Sequence, residues 1–228
     1  MFIEMSKNFM RVKDNELLSE IRRAVIGYDE TTAVETVKKT LEFGMSPKRV
    51  LEEALMPGIQ EVGKLFAQEK IFIPEVMLSA EVFSLAMKII KPAMLTKGEE
   101  VENPGTVLIG TVAGDVHNLG KNLVATMLTA AGFEVLDLGI DVSTEVFVKK
   151  VRELTPDVLA LSALMSTTML EQREVTRSLT KQRLRDKVKV IVGGAPVTNE
   201  WSTQIGADGY APNAHEAVEL VKRILRKH

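Results

Sequence analysis

The chain has 228 residues, of which 45% are hydrophobic and 26% charged, and its formal net charge is −2. This composition is typical of a soluble globular protein that can bury one large core or two small ones. The near-neutral charge gives no reason to expect a nucleic acid or an anionic membrane as a partner, and the absence of cysteine excludes disulfides, zinc–thiolate sites and protein-bound iron–sulfur clusters.

No stretch of the sequence has the pattern of a secretion signal or a membrane span. The N-terminus lacks a charged start followed by a long apolar run, and no segment approaches about 18 uninterrupted apolar residues. We therefore expect a cytoplasmic protein.

Residues 1–96 are predicted to form a four-helix bundle. Apolar residues recur at helical spacing in four segments, which are 14–28, 31–43, 47–68 and 74–95. Ser46 followed by Pro47 is a start signal for the third helix, and Pro57 followed by Gly58 should kink it. Short connections between these helices favour an antiparallel bundle.

Residues 97–105 are charged, end in Asn-Pro-Gly and are typical of a linker. Residues 106–228 then alternate between strand and helix patterns. The predicted strands are 106–112, 134–138, 157–162, 188–192 and a weak one at 208–210, and the predicted helices are 119–131, 143–154, 168–184, 198–205 and 214–226. This alternation predicts an α/β domain with a Rossmann-like, flavodoxin-like five-stranded parallel sheet and helices on both faces.

The turn after the first strand of this domain carries Asp115 and His117. A P-loop is excluded because the interval from Gly114 to Gly120 is one residue too long and Asn122 follows the lysine. The dinucleotide fingerprint G-x-G-x-x-G is absent as well.

His117 is open to two interpretations. A metal site built by the protein needs several ligands, yet the chain has no cysteine and its other histidines are His215 and His228. His117 is therefore either a single ligand to a metal that a macrocycle already holds, or a histidine that only closes the turn. Spacing alone favours the second interpretation.

The run Asp115-Val116-His117-Asn118-Leu119-Gly120 resembles the Asp-x-His-x-x-Gly signature of cobalamin-binding domains of the methionine synthase type. Two further parts of that signature follow in order at the ends of predicted strands, Ser162-Ala163-Leu164 and Gly193-Gly194. Each part alone is ordinary turn or capping chemistry. Together they make the resemblance specific.

The resemblance implies that His117 binds cobalt from below the corrin ring in place of the benzimidazole of cobalamin. Asp115 would accept a hydrogen bond from the other imidazole nitrogen, and the relay would continue to the hydroxyl of Thr168, where methionine synthase has serine. Gly193 and Gly194 would let the displaced nucleotide tail pass against backbone, and Ser162 would offer it a hydroxyl. The implied cofactor-binding residues of this domain are Gly114, Asp115, Val116, His117, Asn118, Gly120, Ser162, Leu164, Ser166, Gly193, Gly194 and Ala214.

The bundle also resembles the cap that covers the upper face of the cofactor in methionine synthase. The segment from Leu65 to Pro74 corresponds to the covering segment, with Phe66 and Ile73 at the methyl-shielding positions and Glu52 at a cofactor-contact position. The alternative is that Phe66 and Ile73 are ordinary bundle core.

The whole chain is similar to the small corrinoid proteins of methanol and methylamine methyltransferase systems. The resemblance implies a methyl carrier, rather than a complete enzyme, with methylcobalamin or a related corrinoid as cofactor. Its implied partners are a substrate-specific methyltransferase, a second methyltransferase that serves tetrahydrofolate or a coenzyme M-type thiol, and an ATP-dependent reductive activator. The alternatives are a cobalamin-dependent sensor, which would carry a basic DNA-binding module, the cobalamin subunit of a radical mutase, and a receiver-like domain, which would need an aspartate at the end of the third strand.

Overall fold

The computed structural model of this protein describes residues 2–99 and 104–226, with side chains from residue 12 onwards. The chain divides into two compact units, Met1–Glu102 and Asn103–His228. Part of the predicted linker, residues 100–103, lies outside the described residues, and the proposed domain boundaries stay predictions.

The first unit is helical. Its elements are α1 (Phe2–Ile26), α2 (Glu30–Glu42), α3 (Pro47–Val50), a π-helical segment (Leu51–Leu55), α4 (Met56–Ala67) and α5 (Ile73–Lys97). The prediction that the first helix starts at residue 14 is wrong, because α1 already begins at Phe2. Residues 2–13 lack a clear apolar period, but they also contain no proline or glycine that would stop a helix.

The third predicted helix is interrupted, as the proline in it suggested. Ser46 caps the start of α3, and its hydroxyl accepts a hydrogen bond from the amide of Arg49. Pro57 then lies in the first turn of α4, directly after the π-helical segment. Because proline lacks an N–H and crowds the preceding turn, the helix widens locally before it continues.

Helix α5 has buried residues along its whole length. A polar stripe formed by Glu81, Ser84, Lys88 and Lys91 is exposed. The buried residues of the helix are Val76, Ser79, Val82, Phe83, Ala86, Ile90 and Met94. A helix with so narrow a polar stripe packs against several neighbours in the bundle.

The second unit is an α/β domain. Its strands are β1 (Thr106–Thr111), β2 (Glu134–Asp137), β3 (Val158–Ser162), β4 (Lys189–Gly193) and β5 (Gly209–Tyr210). Its helices are α6 (Leu119–Ala130), α7 (Thr144–Leu154), α8 (Met169–Lys181), α9 (Asn199–Ile205) and α10 (Ala214–Leu225). All strand pairs are parallel, and the order β2-β1-β3-β4-β5 confirms the predicted flavodoxin-like sheet.

The strand register brings the carboxyl ends of the three central strands into line. Thr111 on β1 is opposite Ser162 on β3, which is opposite Gly193 on β4. One face of the sheet is closed by a core that includes Phe147 of α7, Leu179 of α8 and Trp201 of α9. Since side chains alternate along a strand, Ser162 lies on the opposite face from Leu161, which belongs to that core.

Gly194 is where two strand ends come closest. It has a φ of +127°, and a Cβ at this position would lie 1.7 Å from the carbonyl oxygen of Ala163. The approach of the segment after β4 to the segment after β3 therefore requires glycine for steric reasons as well as for its backbone conformation.

Replacing Gly194 with alanine should destabilise the α/β unit by about 3–5 kcal/mol, because the strand ends must separate to relieve the overlap. Gly206→Ala is a matched control. Gly206 also has a positive φ, +73°, but no atom lies within 4 Å of the added methyl group, so about 1–2 kcal/mol is expected. Urea unfolding followed by the fluorescence of Trp201 measures both, and equal losses in the two variants would contradict the steric argument.

Candidate functional site

The candidate site lies at the carboxyl ends of β1 and β3. The chain leaves β1 toward β2 on one side and reaches β3 on the other, so the strand order reverses at this point. In open α/β sheets, this reversal leaves a crevice between the loops that follow the two strands. The β1 loop carries Asp115 and His117, and the β3 loop carries Leu164, Ser166 and Thr168.

Asp115 is a fully buried carboxylate whose two oxygens are both occupied. Its Oδ1 accepts a hydrogen bond from the amide of His117 at 3.1 Å and lies 2.8 Å from Nδ1 of the same residue. Its Oδ2 accepts from the amide of Leu164 at 2.7 Å, from the amide of Met165 at 3.4 Å and from Oγ1 of Thr168 at 2.6 Å. The carboxylate therefore connects the two loops that border the crevice.

Burial alone would raise the pKa of Asp115, because it penalises the charged form. The hydrogen bonds from the Thr168 hydroxyl, the Leu164 amide and His117 outweigh that effect and hold the pKa well below its ordinary value of 3.8. Asp115 is thus an ionised group at neutral pH, although its side chain has no exposed surface.

The ionisation of Asp115 decides the tautomer of His117. An ionised carboxylate only accepts hydrogen bonds, so Nδ1 of His117 must carry the proton that lies between them. In the neutral imidazole, Nε2 then keeps its lone pair. The side chain of His117 is 48% exposed, and no residue in the described part of the chain hydrogen-bonds to Nε2.

The hydroxyl of Thr168 takes the place in the relay that the sequence indicated. It has a single hydrogen and two acceptors within reach, Oδ2 of Asp115 at 2.6 Å and the carbonyl oxygen of Met165 at 3.0 Å. The shorter contact to a charged acceptor is the stronger hydrogen bond. The chain His117–Asp115–Thr168 is therefore continuous, and its action on a cofactor stays a prediction.

The remaining predicted residues of the β1 loop line its exposed side. Gly114 has a φ of +75° and begins the turn. Val116 is exposed, and Asn118 precedes α6 without capping it through its side chain. A Cβ on Gly120 would meet no atom within 4 Å. The fold itself therefore does not require glycine there, and the space above it is open.

Ser162, Gly193 and Ala214 lie around the end of the sheet on the face opposite the Trp201 core. No hydrogen-bond partner of the Ser162 hydroxyl is found within residues 2–99 and 104–226. Ala214 is the buried first residue of α10, and a Cβ on Gly193 would lie 3.1 Å from the carbonyl oxygen of Ala211. The structure thus groups these residues at one edge, whereas Ser166 lies in the exposed turn before α8.

Apolar side chains are exposed around the crevice. Between 38% and 63% of each of these side chains is accessible, and they are Val116, Leu119, Ile140, Leu164, Met165 and Leu170. They come from the loops after β1, β2 and β3 and from the first turns of α6 and α8. Exposed apolar side chains at a strand-end crevice are typical of a ligand-binding face.

The predicted residues of the helical unit are not part of its core. Phe66 near the end of α4 and Ile73 at the start of α5 are half-buried, and Glu52 is exposed and pairs with Lys48 at 3.8 Å. Phe66 and Ile73 are thus intermediate between the bundle core and the surface. Their contact with a cofactor stays a prediction.

Sequence reasoning did not identify three residues that hold the site together. The buried Thr111 donates from its hydroxyl to the carbonyl of His117 at 3.1 Å. Asp141, in the loop after β2, accepts from the amide of Gly114 at 2.7 Å. The available signal was a polar residue, at the end of β1 for Thr111 and in the loop after β2 for Asp141.

Gln172 is the third residue. Its amide nitrogen donates to the carbonyls of Leu161 and Gly193, both at 3.1 Å, and its oxygen accepts from Nε1 of Trp201 at 3.0 Å. The side chain is fully buried. A polar residue on the otherwise apolar face of α8, one turn before Val175 and two before Leu179, was the signal in the sequence.

The described residues form no group of three or more His, Asp or Glu side chains that could hold a metal ion. Among the helices of the described ranges, none is both long and apolar enough to cross a membrane.

Comparisons with known proteins fit a site of this kind. Two family profiles, both described as B12 binding domains, match residues 17–91 and 105–219. The fold and the site thus define a cobalamin-binding protein with a helical domain ahead of its α/β domain. The chain belongs to the corrinoid proteins built from these two B12 binding domains.

The relatives are similar along nearly their whole length. Trimethylamine corrinoid protein 2 of Methanosarcina mazei is 42% identical over 211 residues, which cover 92% of this chain and 97% of that protein. Dimethylamine corrinoid protein 2 of Methanosarcina acetivorans is 43% identical over 210 residues, with coverage of 92% and 96%. A chain from the crystal structure of the methanol:cobalamin methyltransferase complex of Methanosarcina barkeri matches with a TM-score of 0.84 and 32% identity, covering 93% of this chain and 81% of that one.

The residues present fit a corrinoid. The lone pair on Nε2 of His117 is available to one metal position, the exposed apolar side chains suit a broad ring, and the unpartnered Ser162 hydroxyl suits a polar tail. A macrocycle would supply the metal ligands that the described part of the protein lacks.

Replacing Thr168 with valine tests the relay without a cofactor, since valine keeps the shape and removes the hydroxyl. We expect the pKa of Asp115 to rise toward its ordinary value of 3.8. The free energy of unfolding at neutral pH should fall by about 1.5–3 kcal/mol, because a buried carboxylate loses a charge-assisted hydrogen bond. Carbon-13 NMR titration of the carboxyl group and urea unfolding measure the two effects.

The loss of unfolding free energy in Thr168→Val should depend on pH. Because the pKa of Asp115 is lowered by folding, its ionised form stabilises the protein fully above 3.8, and this stabilisation disappears as the pH falls through the folded-state pKa. The stability difference between wild type and Thr168→Val should therefore shrink below about pH 4. Thr168→Ser keeps the hydroxyl and is the control, and equal unfolding free energies for wild type and Thr168→Val would contradict the relay.

Proposed function

We propose that this protein carries a methyl group on the cobalt of a bound corrinoid, with Nε2 of His117 as the lower ligand. The observation that supports this proposal most directly is the fixed tautomer of His117. An ionised, buried Asp115 holds Nδ1 at 2.8 Å and so leaves Nε2 as an unpartnered donor atom at the crevice. The names of the relatives, which are corrinoid proteins for trimethylamine and dimethylamine, support the same class of function.

When bound, the corrinoid supplies a cobalt centre that accepts a methyl group from one partner and gives it to another. The chain itself supplies control of the lower side. While Nε2 is engaged, Asp115 holds the ring in orientation through Nδ1–H. The same contact would hold the imidazole in place whether or not Nε2 is bound to the metal.

The face that carries Ser162 has the features needed for the nucleotide tail. Because no described residue hydrogen-bonds to the Ser162 hydroxyl, this group can donate to a ring nitrogen that leaves water. Gly193 presents backbone without a side chain beside Ala211. In this proposal Phe66 and Ile73 shield the upper face of the corrinoid, and their half-buried state leaves apolar surface for that contact.

The proposed partners follow from the carrier role. A substrate-specific methyltransferase loads the cofactor, a second methyltransferase passes the methyl group to tetrahydrofolate or a coenzyme M-type thiol, and an ATP-dependent activator restores the reduced metal. Relatives that serve trimethylamine and dimethylamine favour a methylated amine as the donor. Methanol is the competing donor, suggested by the methanol:cobalamin methyltransferase complex.

Nitrogen isotopes on histidine test the ligand directly. The protein is reconstituted with hydroxocobalamin, reduced to the cobalt(II) state and studied by electron paramagnetic resonance with and without nitrogen-15 histidine. We expect the isotope to convert the nitrogen splitting from a triplet to a doublet in wild type, because a histidine nitrogen lies on the metal. His117→Ala should lose the isotope effect and bind the cofactor at least about tenfold more weakly.

His215→Gln is the matched control, since His215 is exposed on α10 and distant in sequence from the relay. This variant should keep both the affinity and the isotope effect. Uptake of the cofactor with its own benzimidazole still on the metal, or no uptake by wild type, would contradict the proposed function.

A further inference from the structure

The loop that follows β2 runs alongside the turn that carries His117. The amide of Thr111 donates to the carbonyl of Gly139 at 3.0 Å, and the amide of Val142 donates to the carbonyl of Thr111 at the same distance. Val112 and Val142 also form an isolated parallel bridge. These contacts continue the pairing between β1 and the β2 side of the sheet beyond the end of both strands.

In this loop, Asp141 accepts one hydrogen bond through its side chain and donates another through its backbone amide. Its Oδ1 accepts from the amide of Gly114 at 2.7 Å. Its own amide donates to the carbonyl of Asp115 at 3.0 Å. Asp141 therefore binds both residues that precede the His117 turn, Gly114 through its side chain and Asp115 through its backbone amide. It is not itself a member of the relay of Asp115 and Thr168. We call this pair of hydrogen bonds the Asp141 clasp.

The backbone of Asp141 is in the left-handed region, with a φ of +51°. Aspartate and asparagine tolerate this conformation better than other residues with a side chain. The conformation lets the amide and the carboxylate of one residue face the same two-residue segment. Replacement by most other residues would add strain as well as remove the side-chain acceptor.

A second contact holds the same loop on the other side of the His117 turn. Lys121, in the first turns of α6, is almost fully buried, and its ammonium group pairs with Oδ2 of Asp137 at the end of β2. Oδ1 of Asp137 accepts from the amide of Gly139 at 2.8 Å. The loop after β2 is thus attached to the chain both before and after His117.

We infer that Asp141 is a positioning residue for His117, because it fixes the Gly114–Asp115 segment from which the proposed ligand and its relay carboxylate extend. This inference rests on the proposed function. It adds a residue from the β2 loop that controls backbone geometry, whereas Asp115 controls the tautomer. Without the clasp, the turn would have to be ordered when the corrinoid binds, and that cost would weaken uptake.

Three variants separate the parts of the clasp. Asp141→Gly tolerates the positive φ and keeps the amide, so it removes only the side-chain acceptor. Asp141→Asn keeps both the tolerance and an acceptor oxygen. Arg183→Gly is the control for added backbone freedom, because Arg183 is exposed in the same unit and also has a positive φ, +58°.

In the cofactor-free protein, we expect Asp141→Gly to speed hydrogen exchange at the Gly114 amide, while Asp141→Asn and Arg183→Gly leave it near the wild-type rate. With hydroxocobalamin, Asp141→Gly should bind roughly threefold to tenfold more weakly, the loss of one hydrogen bond. It should also show a smaller fraction of cobalt(II) with the nitrogen-15-sensitive splitting. The other two variants should stay within about twofold of wild type.

The outcomes distinguish this inference from the proposed function. If wild type binds cobalamin without a histidine nitrogen on the metal, the proposed function and this inference are both overturned. If wild type shows the histidine nitrogen but Asp141→Gly matches it in affinity, splitting and exchange, only this inference is overturned. Equal losses in Asp141→Gly and either Asp141→Asn or Arg183→Gly would overturn it as well.

Discussion

The site depends on the hydrogen bonds that the buried carboxylate of Asp115 accepts. A charge without exposed surface is stable only when its lone pairs are satisfied, and here the β3 loop and Thr168 satisfy one oxygen while His117 satisfies the other. The same hydrogen bonds keep the group ionised despite its burial. One buried ion therefore joins two loops, fixes the tautomer of His117 and leaves Nε2 without a hydrogen-bond partner among the described residues.

The parallel register of the sheet makes this interaction possible. Thr111, Ser162 and Gly193 are neighbours across three strands, so the loops after them leave the sheet at the same level. The close approach of Gly194 to Ala163 and the bonds of Gln172 to Leu161 and Gly193 hold the second and third of these loops together. The position of Asp115 relative to Thr168 thus follows from backbone packing deep below the crevice.

The sequence predicted the site to the extent that its residues are local or lie at strand ends. Asp115 and His117 are two positions apart, and the resemblance to cobalamin-binding domains implied Thr168 as the next member of the relay. Asp141 and Gln172 were missed because their roles depend on partners that are distant in the chain, Gly114 for one and Trp201 for the other. The early start of α1 was missed for a different reason, since residues 2–13 lack the apolar period by which buried helices are recognised.

Two aspartates therefore act on one histidine in physically different ways. Asp115 is buried and ionised, and its effect on the ring is electrostatic, so it fixes the tautomer and the orientation of the imidazole. Asp141 lies on the exposed rim and bonds only to backbone, so it governs where the turn is held. The described residues form no group of three or more side chains that could hold a metal ion. The proposed function therefore relies on one histidine, and both the strength and the geometry of that single ligand must be fixed in advance. Because separate residues act on the imidazole ring and on the backbone of the turn, the strength of the ligand and its geometry can be changed independently.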